Sequence, residues 1–261
     1  MPVSRVQSLQ RAIQIMDTLE KAGQSLSLRE LSEKTNLARS TTHRILSTLL
    51  DGGLIDQQTD GKYGLGLRLF ELGTSVSMVQ DVREMAKPYM QKISTEINES
   101  VSLSVLYRGE ALIISFVEAQ SAFHVVSRVG GRLPMHCTVQ GKIMLAYMTK
   151  AEVKRILKEH GLEAYTPNTI TSYDKLEADL EITRNRGYAI EDSEFHLGLH
   201  SVAAPVYDEK GNVRYAFSVV SMFHKVSSPE FERAKNLALT AARDISRKLG
   251  YKGDAFQTIP I

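Results

Sequence analysis

The chain has 261 residues, of which 43% are hydrophobic and 24% are charged, and its formal net charge at pH 7 is +2. This length suffices for two domains, because a typical domain has about 100 to 150 residues. The near balance of charge excludes a strongly basic protein, so any affinity for DNA must come from basic side chains that are placed locally. The single cysteine excludes an internal disulfide framework and leaves too few thiolates for a structural zinc site.

The N-terminus lacks the apolar run of a signal peptide, and no segment approaches the roughly 20 consecutive apolar residues of a membrane span. We therefore expect a cytoplasmic protein without a membrane partner. The sequence contains no HExxH, P-loop or GxSxG pattern, so we expect neither a cofactor nor an enzyme of those classes.

The first 50 residues predict three helices. Apolar residues recur at helical spacing over 8–20, and Gly23 stands where a helix commonly ends in a left-handed residue. Ser27 and Glu30 form the capping-box pattern that starts a second helix. A tight turn then leads into a third helix over 39–50.

A β-hairpin is predicted directly after these helices. The Asp60-Gly61 pair forms a turn signal between two short strands at 54–56 and 63–65. Three helices followed by such a hairpin, or wing, predict a winged helix-turn-helix domain.

The third helix has the composition of a recognition helix. Its outer face carries arginines, which make bidentate bonds to guanine, and hydroxyl side chains, which reach phosphates or bases. Taken alone, this helix fits a solvated helix whose N-cap is Ser40 or Thr41 better than a DNA-binding one. The preceding helix, the turn and the wing favour the DNA-binding interpretation. The candidate DNA-contact residues are Ser27, Arg39, Ser40, Thr41, Thr42, His43, Arg44 and Lys62.

The charge of this region predicts an oligomer. Residues 1–66 contain eight Lys and Arg against seven Asp and Glu, so one subunit should bind DNA weakly and dimerisation should multiply the contacts. The recognition helices of a dimer should reach successive major grooves about 34 Å apart. The expected partner is therefore a pseudo-palindromic double-stranded DNA operator.

The helical pattern continues beyond Gly66. We expect a linker helix at 67–80, which would transmit a ligand-dependent bias between domains, and a further helix from about Asp81 that opens the larger domain. The predicted domains are the winged helix at 1–66, the linker at 67–80 and a ligand-binding domain at 81–261.

The larger region predicts an α+β domain, in which a sheet is covered by helices. Strands are expected where apolar residues alternate or run continuously, at 101–107, 111–118, 123–129, 188–191, 201–207 and 213–220. Helices are expected at 139–147, 150–159, 175–186 and 229–249.

Two polar segments of this domain could bind a ligand. The loop 130–142 leads into a helix, whose free N–H groups and positive dipole end suit a carboxylate; the alternative is a turn capped by Thr138. The neighbouring His136 and Cys137 suggest a nucleophile-base pair or a redox site, although neighbours in sequence rarely face each other and a lone cysteine is usually buried.

The second segment, 186–194, ends in three acidic residues, Glu191, Asp192 and Glu194. Such a group could recognise a ligand, hold a metal ion, or supply a general acid together with His196 or His200. It could also be a solvated acidic loop.

These motifs together resemble the IclR-type transcriptional regulators over nearly the whole chain. The resemblance rests on the winged helix and on the segments 133–136, 141–142, 186–189 with the acidic loop and Gly198, and 203–206. It implies a GAF-like effector domain, with a mixed sheet flanked by helices, and a homodimer through the N-terminal region or a homotetramer built as a dimer of dimers. It also implies a small effector, commonly an organic or aromatic acid.

The resemblance also implies an effector site, residue by residue. Val139 and Gln140 would offer backbone N–H groups to the carboxylate. Departures from the family pattern, such as Ser201 where many members have Cys and Gln140 where the glyoxylate-responsive branch has a small residue, leave the identity of the effector open. The remaining implied contacts are Glu191, Ser218 and Val220, with an apolar wall from Ala122, Val125 and Leu133.

The leading hypothesis is a DNA-binding regulator of a metabolic operon that responds to a small carboxylate-containing effector. The alternatives are an enzyme that processes a small molecule, or a redox sensor, either of which would use His136 and Cys137.

Overall fold

A computed structural model describes residues 6–120, 127–221 and 226–256 of the chain. It divides into two compact units, one ending at Ser77 and one beginning at Met78. Its helices are α1 (Gln7–Ala22), α2 (Leu28–Thr35), α3 (Arg39–Asp51), α4 (Leu67–Thr74), α5 (Ser77–Ile97), α6 (Val139–Ala146), α7 (Lys150–His160), α8 (Tyr173–Arg186) and α9 (Pro229–Lys248). Its strands are β1 (Ile55–Gln57), β2 (Tyr63–Leu65), β3 (Ser100–Tyr107), β4 (Glu110–Val117), β5 (Arg132–Leu133), β6 (Ala189–Asp192), β7 (His200–Tyr207) and β8 (Val213–Ser221).

The first unit is the predicted winged helix-turn-helix. Its three helices and the antiparallel hairpin β1–β2 enclose one hydrophobic core, to which Ile15, Leu31, Leu46 and Ile55 each contribute a fully buried side chain. The hairpin is tied to the helices because Leu26 forms a bridge with Tyr63.

Local signals set the ends of these helices. The Ser27 hydroxyl accepts from the main-chain N–H of Glu30 while the Glu30 carboxylate accepts from the main-chain N–H of Ser27, so both halves of the capping box are present. Gly23 ends α1 in the left-handed conformation, with φ 62°.

The linker is not one continuous helix over 67–80. α4 ends at Thr74 and α5 begins at Ser77, four residues before the expected start at Asp81. The break begins at Ser75, directly after Gly73 and Thr74, and these three residues are weaker helix formers than the leucines before them. The domain boundaries at 66 and 80 remain predictions.

The second unit contains a six-stranded sheet with the strand order β5-β4-β3-β8-β7-β6. The expectation of a mixed sheet, with both parallel and antiparallel pairs, is wrong. Every strand pair among the described residues is antiparallel. The pairs β3–β4 and β7–β8 are hairpins, and the two hairpins meet through β3 and β8. The GAF-like α+β class itself is confirmed.

The region after β4 differs from the predicted strand at 123–129. Residues 123–126 lie outside the described residues, and 127–129 do not form a strand. Instead the main chain turns at Gly130, with φ 87°, and Gly130 and Gly131 exchange hydrogen bonds with Ile113. The short strand β5, which the sequence pattern did not indicate, follows at this edge and pairs with β4.

Helices cover both faces of the sheet. Along β7, Val202 and Ala204 contribute to a cluster with residues of α5 and α9, whereas Ala203 contributes to a cluster with residues of α6, α7 and α8. This alternation is that of a strand buried on both sides. No helix among the described residues has the length and apolar character needed to cross a bilayer.

Candidate functional site

The exposed face of α3 carries most of the predicted DNA contacts. Arg39, Ser40, His43 and Arg44 are exposed, and Thr41 is partly buried. The expectation that Thr42 lies on this face is wrong. Thr42 is 0% exposed, and its hydroxyl donates to the main-chain oxygen of Ala38. The signal was present in the sequence, because residues 42, 46 and 49 follow the helical spacing of a core face.

The two outlying DNA candidates already have partners. Ser27 donates its hydroxyl hydrogen to Glu30 Oε2 at 2.7 Å within the capping box. Lys62 is exposed in the wing, where its Nζ lies 3.4 Å from Asp60 Oδ2. Their contacts with DNA, like those of α3, remain predictions.

The second unit contains a polar cluster on the face of the sheet that α6 covers. The strand register aligns Glu191 with Ser201, Ser201 with Val220, and Val220 with Ser100. The next row on the same face includes Ser218, which pairs with Ser102. The antiparallel pairing therefore brings Glu191, Ser201, Ser218 and Val220 together from three separate strands.

Gln140 of α6 joins this cluster through its side chain. Its Nε2 donates to Ser218 Oγ at 3.0 Å and to Ser102 Oγ at 3.2 Å, and the two serine oxygens are 2.7 Å apart. All three residues are buried. Ser102 was missed in the sequence, where it is one polar residue in an alternating strand, and only the register places it here.

Glu191 is a buried carboxyl, 1% exposed. Its Oε1 accepts from the main-chain N–H groups of Glu194 at 3.0 Å and Phe195 at 3.2 Å. Burial raises the pKa of Glu191 to about 7, although the N–H donors favour the charged form. Opposite it on the neighbouring strand, the Ser201 hydroxyl is also buried and, like the N–H donors, favours the charged form of Glu191.

A buried ion pair fixes the loop that follows Glu191. Lys142 of α6 is 1% exposed, and its Nζ lies 2.5 Å from Glu194 Oε1 and 3.2 Å from Asp179 Oδ2 of α8. The hydroxyl of Thr169 also donates to the main-chain oxygen of Glu194 at 2.6 Å. Sequence reasoning did not find these partners, because a helical lysine is ordinarily exposed.

The start of α6 has the predicted cap. The Thr138 hydroxyl accepts from the N–H of Gly141 at 3.2 Å, and the Thr138 carbonyl accepts from the N–H of Lys142 at 2.8 Å. The N–H groups of Val139 and Gln140 precede these in the first turn, where a helix supplies no partner of its own. The cap and the proposed anion site are therefore compatible.

The apolar wall is described only in part. Leu133 lies on β5, is partly buried and packs against the cluster that contains Val139. Ala122 and Val125 lie outside the described residues. The effector roles of the whole set remain predictions.

The geometry gives no support to chemistry at His136 and Cys137. His136 Nε2 lies 2.9 Å from the main-chain oxygen of Glu163, and burial lowers the pKa of His136. Cys137 is fully buried, and burial raises the pKa of its thiol to about 12, so that hardly any reactive thiolate forms at pH 7. No group of three His, Cys, Asp or Glu side chains suited to a metal ion occurs in the described part of the chain.

Comparison with known proteins identifies the family. The family model "Bacterial transcriptional regulator IclR C-terminal" matches residues 74–247, and the "IclR helix-turn-helix domain" matches residues 8–59. The chain belongs to the IclR family of transcriptional regulators. Among its IclR relatives, the HTH-type transcriptional regulator XynR of Escherichia coli K12 is 33% identical over 252 residues, which is 96% of this chain and 99% of XynR. The HTH-type transcriptional repressor AllR of the same organism is 32% identical over 247 residues, or 94% of this chain and 91% of AllR.

Solved IclR structures share the fold over nearly the whole chain. The IclR protein of Thermotoga maritima has a TM-score of 0.75 at 30% identity and covers 95% of this chain and 100% of its own. An IclR homolog from Microbacterium hydrocarbonoxydans, complexed with 4-hydroxybenzoate, has a TM-score of 0.85 at 26% identity and covers 93% of this chain and 99% of its own. The chain is thus a DNA-binding regulator by family.

Proposed function

We propose that this IclR-family regulator controls a metabolic operon in response to a small organic acid, which binds in the polar cluster beneath α6. The observation that carries this proposal is the buried polar surface beneath α6, where Ser201 faces Glu191 and the Gln140 amide donates to Ser218. Buried polar side chains are costly unless they have hydrogen-bond partners, and the oxygens of a bound acid would supply further partners here.

Hydrogen counting in the cluster indicates an acceptor-rich ligand. The Gln140 amide uses both of its hydrogens on Ser102 and Ser218, and one serine donates to the other. One serine hydrogen is left over, because each hydroxyl supplies one donor. Together with Ser201 and the N–H groups at the start of α6, it offers donors to a carboxylate.

The pKa of Glu191 supports the same ligand class. With a value of about 7, this carboxyl is protonated in a large fraction of molecules at neutral pH and repels an incoming carboxylate less than an ionised group would. The similar protein from Microbacterium hydrocarbonoxydans was crystallised with 4-hydroxybenzoate, which is itself a carboxylic acid.

Thermal-shift measurements with small carboxylic acids test the effector proposal. We expect glyoxylate, pyruvate or 4-hydroxybenzoate to raise the unfolding midpoint, because a ligand of the native state stabilises it. The alcohol analogue 4-hydroxybenzyl alcohol is the matched ligand control. Ser201→Ala should weaken any shift, and a panel without a single stabilising acid would refute the carboxylate assignment.

We further propose that the N-terminal unit binds a pseudo-palindromic operator as part of a homodimer or homotetramer. Large apolar side chains are exposed on α1 (Ile13) and on α4 (Leu67, Phe70), and Phe70 is 74% exposed. Such apolar patches mark contacts between proteins. Sedimentation equilibrium tests the oligomer, and a monomer at assay concentrations would contradict it.

Arg44→Ala tests the recognition helix. We expect weaker binding to duplex DNA in a gel-shift titration, with unchanged stabilisation by acids, because Arg44 lies on the exposed face of α3 in the other compact unit. Equal DNA affinity of variant and parent would remove Arg44 from the interface.

We propose a cytoplasmic location for the protein, where a bacterial regulator meets its DNA. We also propose that the second unit binds its small molecule and does not catalyse a reaction. Support comes from the regulator relatives and from the raised pKa of the Cys137 thiol. Incubation with candidate acids followed by mass spectrometry checks this, and turnover would contradict it.

A further inference from the structure

A groove of about 410 Å³ lies between α1 and α3 in the first unit. Two guanidinium side chains line it, Arg11 from α1 and Arg44 from α3. Three hydroxyl side chains, Ser8, Thr41 and Thr48, line it with them, and the remaining lining residues are apolar. Among the described residues that line the groove, none carries a carboxylate.

Among the residues that the structure describes, the two arginines have no counter-charge, unlike Arg29 and Lys62 of the same unit. Arg29 pairs with Glu33 at 2.8 Å and Lys62 with Asp60 at 3.4 Å. Within the described residues, the guanidinium groups of Arg11 and Arg44 make neither a hydrogen bond nor an ion pair. Two cations that face one groove repel each other. An anion bound between them would attract both and offset that repulsion.

We propose that this groove binds a backbone phosphate of DNA and that Arg11, which the sequence did not single out, is a phosphate-contacting residue. The inference rests on the proposed DNA-binding role of α3, because Arg44 belongs both to its exposed face and to the groove. Guanidinium groups bind phosphate oxygens bidentately, and serine and threonine hydroxyls are common phosphate donors. The apolar part of the lining suits the adjoining deoxyribose.

A second copy of the chain is the other conceivable occupant, since Leu9 also lines the groove and is exposed. The charges argue against it. A two-fold contact through the groove would bring the same patch of both subunits together, and would therefore place four guanidinium groups in one interface.

Salt dependence of DNA binding tests the inference. The probe is a fluorescein-labelled mixed-sequence duplex of about 30 base pairs, long enough for two half-sites one helical turn apart. No operator is needed, because phosphate contacts carry the non-specific binding. Arg11→Met should lower the slope of log K against log salt by about 0.9 for each phosphate that the variant no longer neutralises, between about 50 and 200 mM salt.

Lys21→Met is the matched control, because it removes one positive charge from the last turn of the same helix, away from the groove. It should keep the parent slope. Arg11→Lys should also keep the slope, since the charge stays, while binding weakens at every salt concentration because an ammonium group cannot bind the phosphate bidentately. Arg11→Gln replaces Arg11→Met if circular dichroism shows that the latter is unfolded.

An unchanged slope in Arg11→Met would overturn the inference. Weaker DNA binding that accompanies a smaller assembly in sedimentation velocity would also overturn it, because the groove would then be a subunit contact. If the parent protein binds no duplex at any salt concentration, both the DNA-binding function and the inference fail. If the parent binds and Arg11→Met binds with the same slope, only the inference fails.

Discussion

Replacing Glu191 by Gln removes a buried titrating group and makes a quantitative prediction. In the folded protein, burial raises the pKa of Glu191 from 4.5 to about 7. The folded state then binds more protons than the unfolded state between these values, so stability falls as the pH rises through this window. A pKa difference of one is about 1.4 kcal/mol, so the rise corresponds to about 3 kcal/mol of stability lost above pH 7.

Glu191→Gln lacks this loss, and its amide oxygen can still accept from the N–H groups of Glu194 and Phe195. Urea unfolding at about pH 5 and about pH 8 measures the effect. At each pH, the parent's free energy of unfolding is subtracted from that of Glu191→Gln. This difference should be about 2 to 3 kcal/mol larger at the higher pH than at the lower one, because only the parent loses stability as the pH rises. Glu84→Gln, an exposed change on α5, is the control. A difference between Glu191→Gln and parent that does not change with pH would refute the reasoning.

Three further predictions concern buried groups. Cys137 should not react with a thiol reagent in the native state, because burial raises its pKa to about 12, and rapid labelling would revive the redox alternative. Thr42→Val should keep the parent's DNA affinity in gel shifts and cost about 1 kcal/mol of stability, since it removes only a hydrogen bond to Ala38. Lys142→Met should destabilise the protein by about 3 to 5 kcal/mol in urea, because two carboxylates are left unpaired. The double variant Lys142→Met with Glu194→Gln should recover part of this loss. If the destabilisation by the double variant equals the sum of the two single effects, the ion pair is contradicted.

Several features were predictable because they depend on neighbours in the chain. The capping box of Ser27 and Glu30 and the left-handed Gly23 involve contacts over three or four residues. The wing follows from an Asp-Gly turn. The buried side of α3 was also readable, since Thr42 shares the helical spacing of Leu46 and Leu49, but its hydroxyl suggested an exposed residue instead.

Other features were decided by the tertiary structure, because they join residues far apart in the chain. Gln140 meets Ser102 and Ser218 across 38 and 78 positions, and only the antiparallel register puts those serines side by side. Lys142 finds Glu194 across 52 positions. The sequence by itself determined the helices, the turns and the motifs of the family; the packing of α6 on the sheet decided which polar side chains share a buried site, because burial and pairing depend on strand order and register.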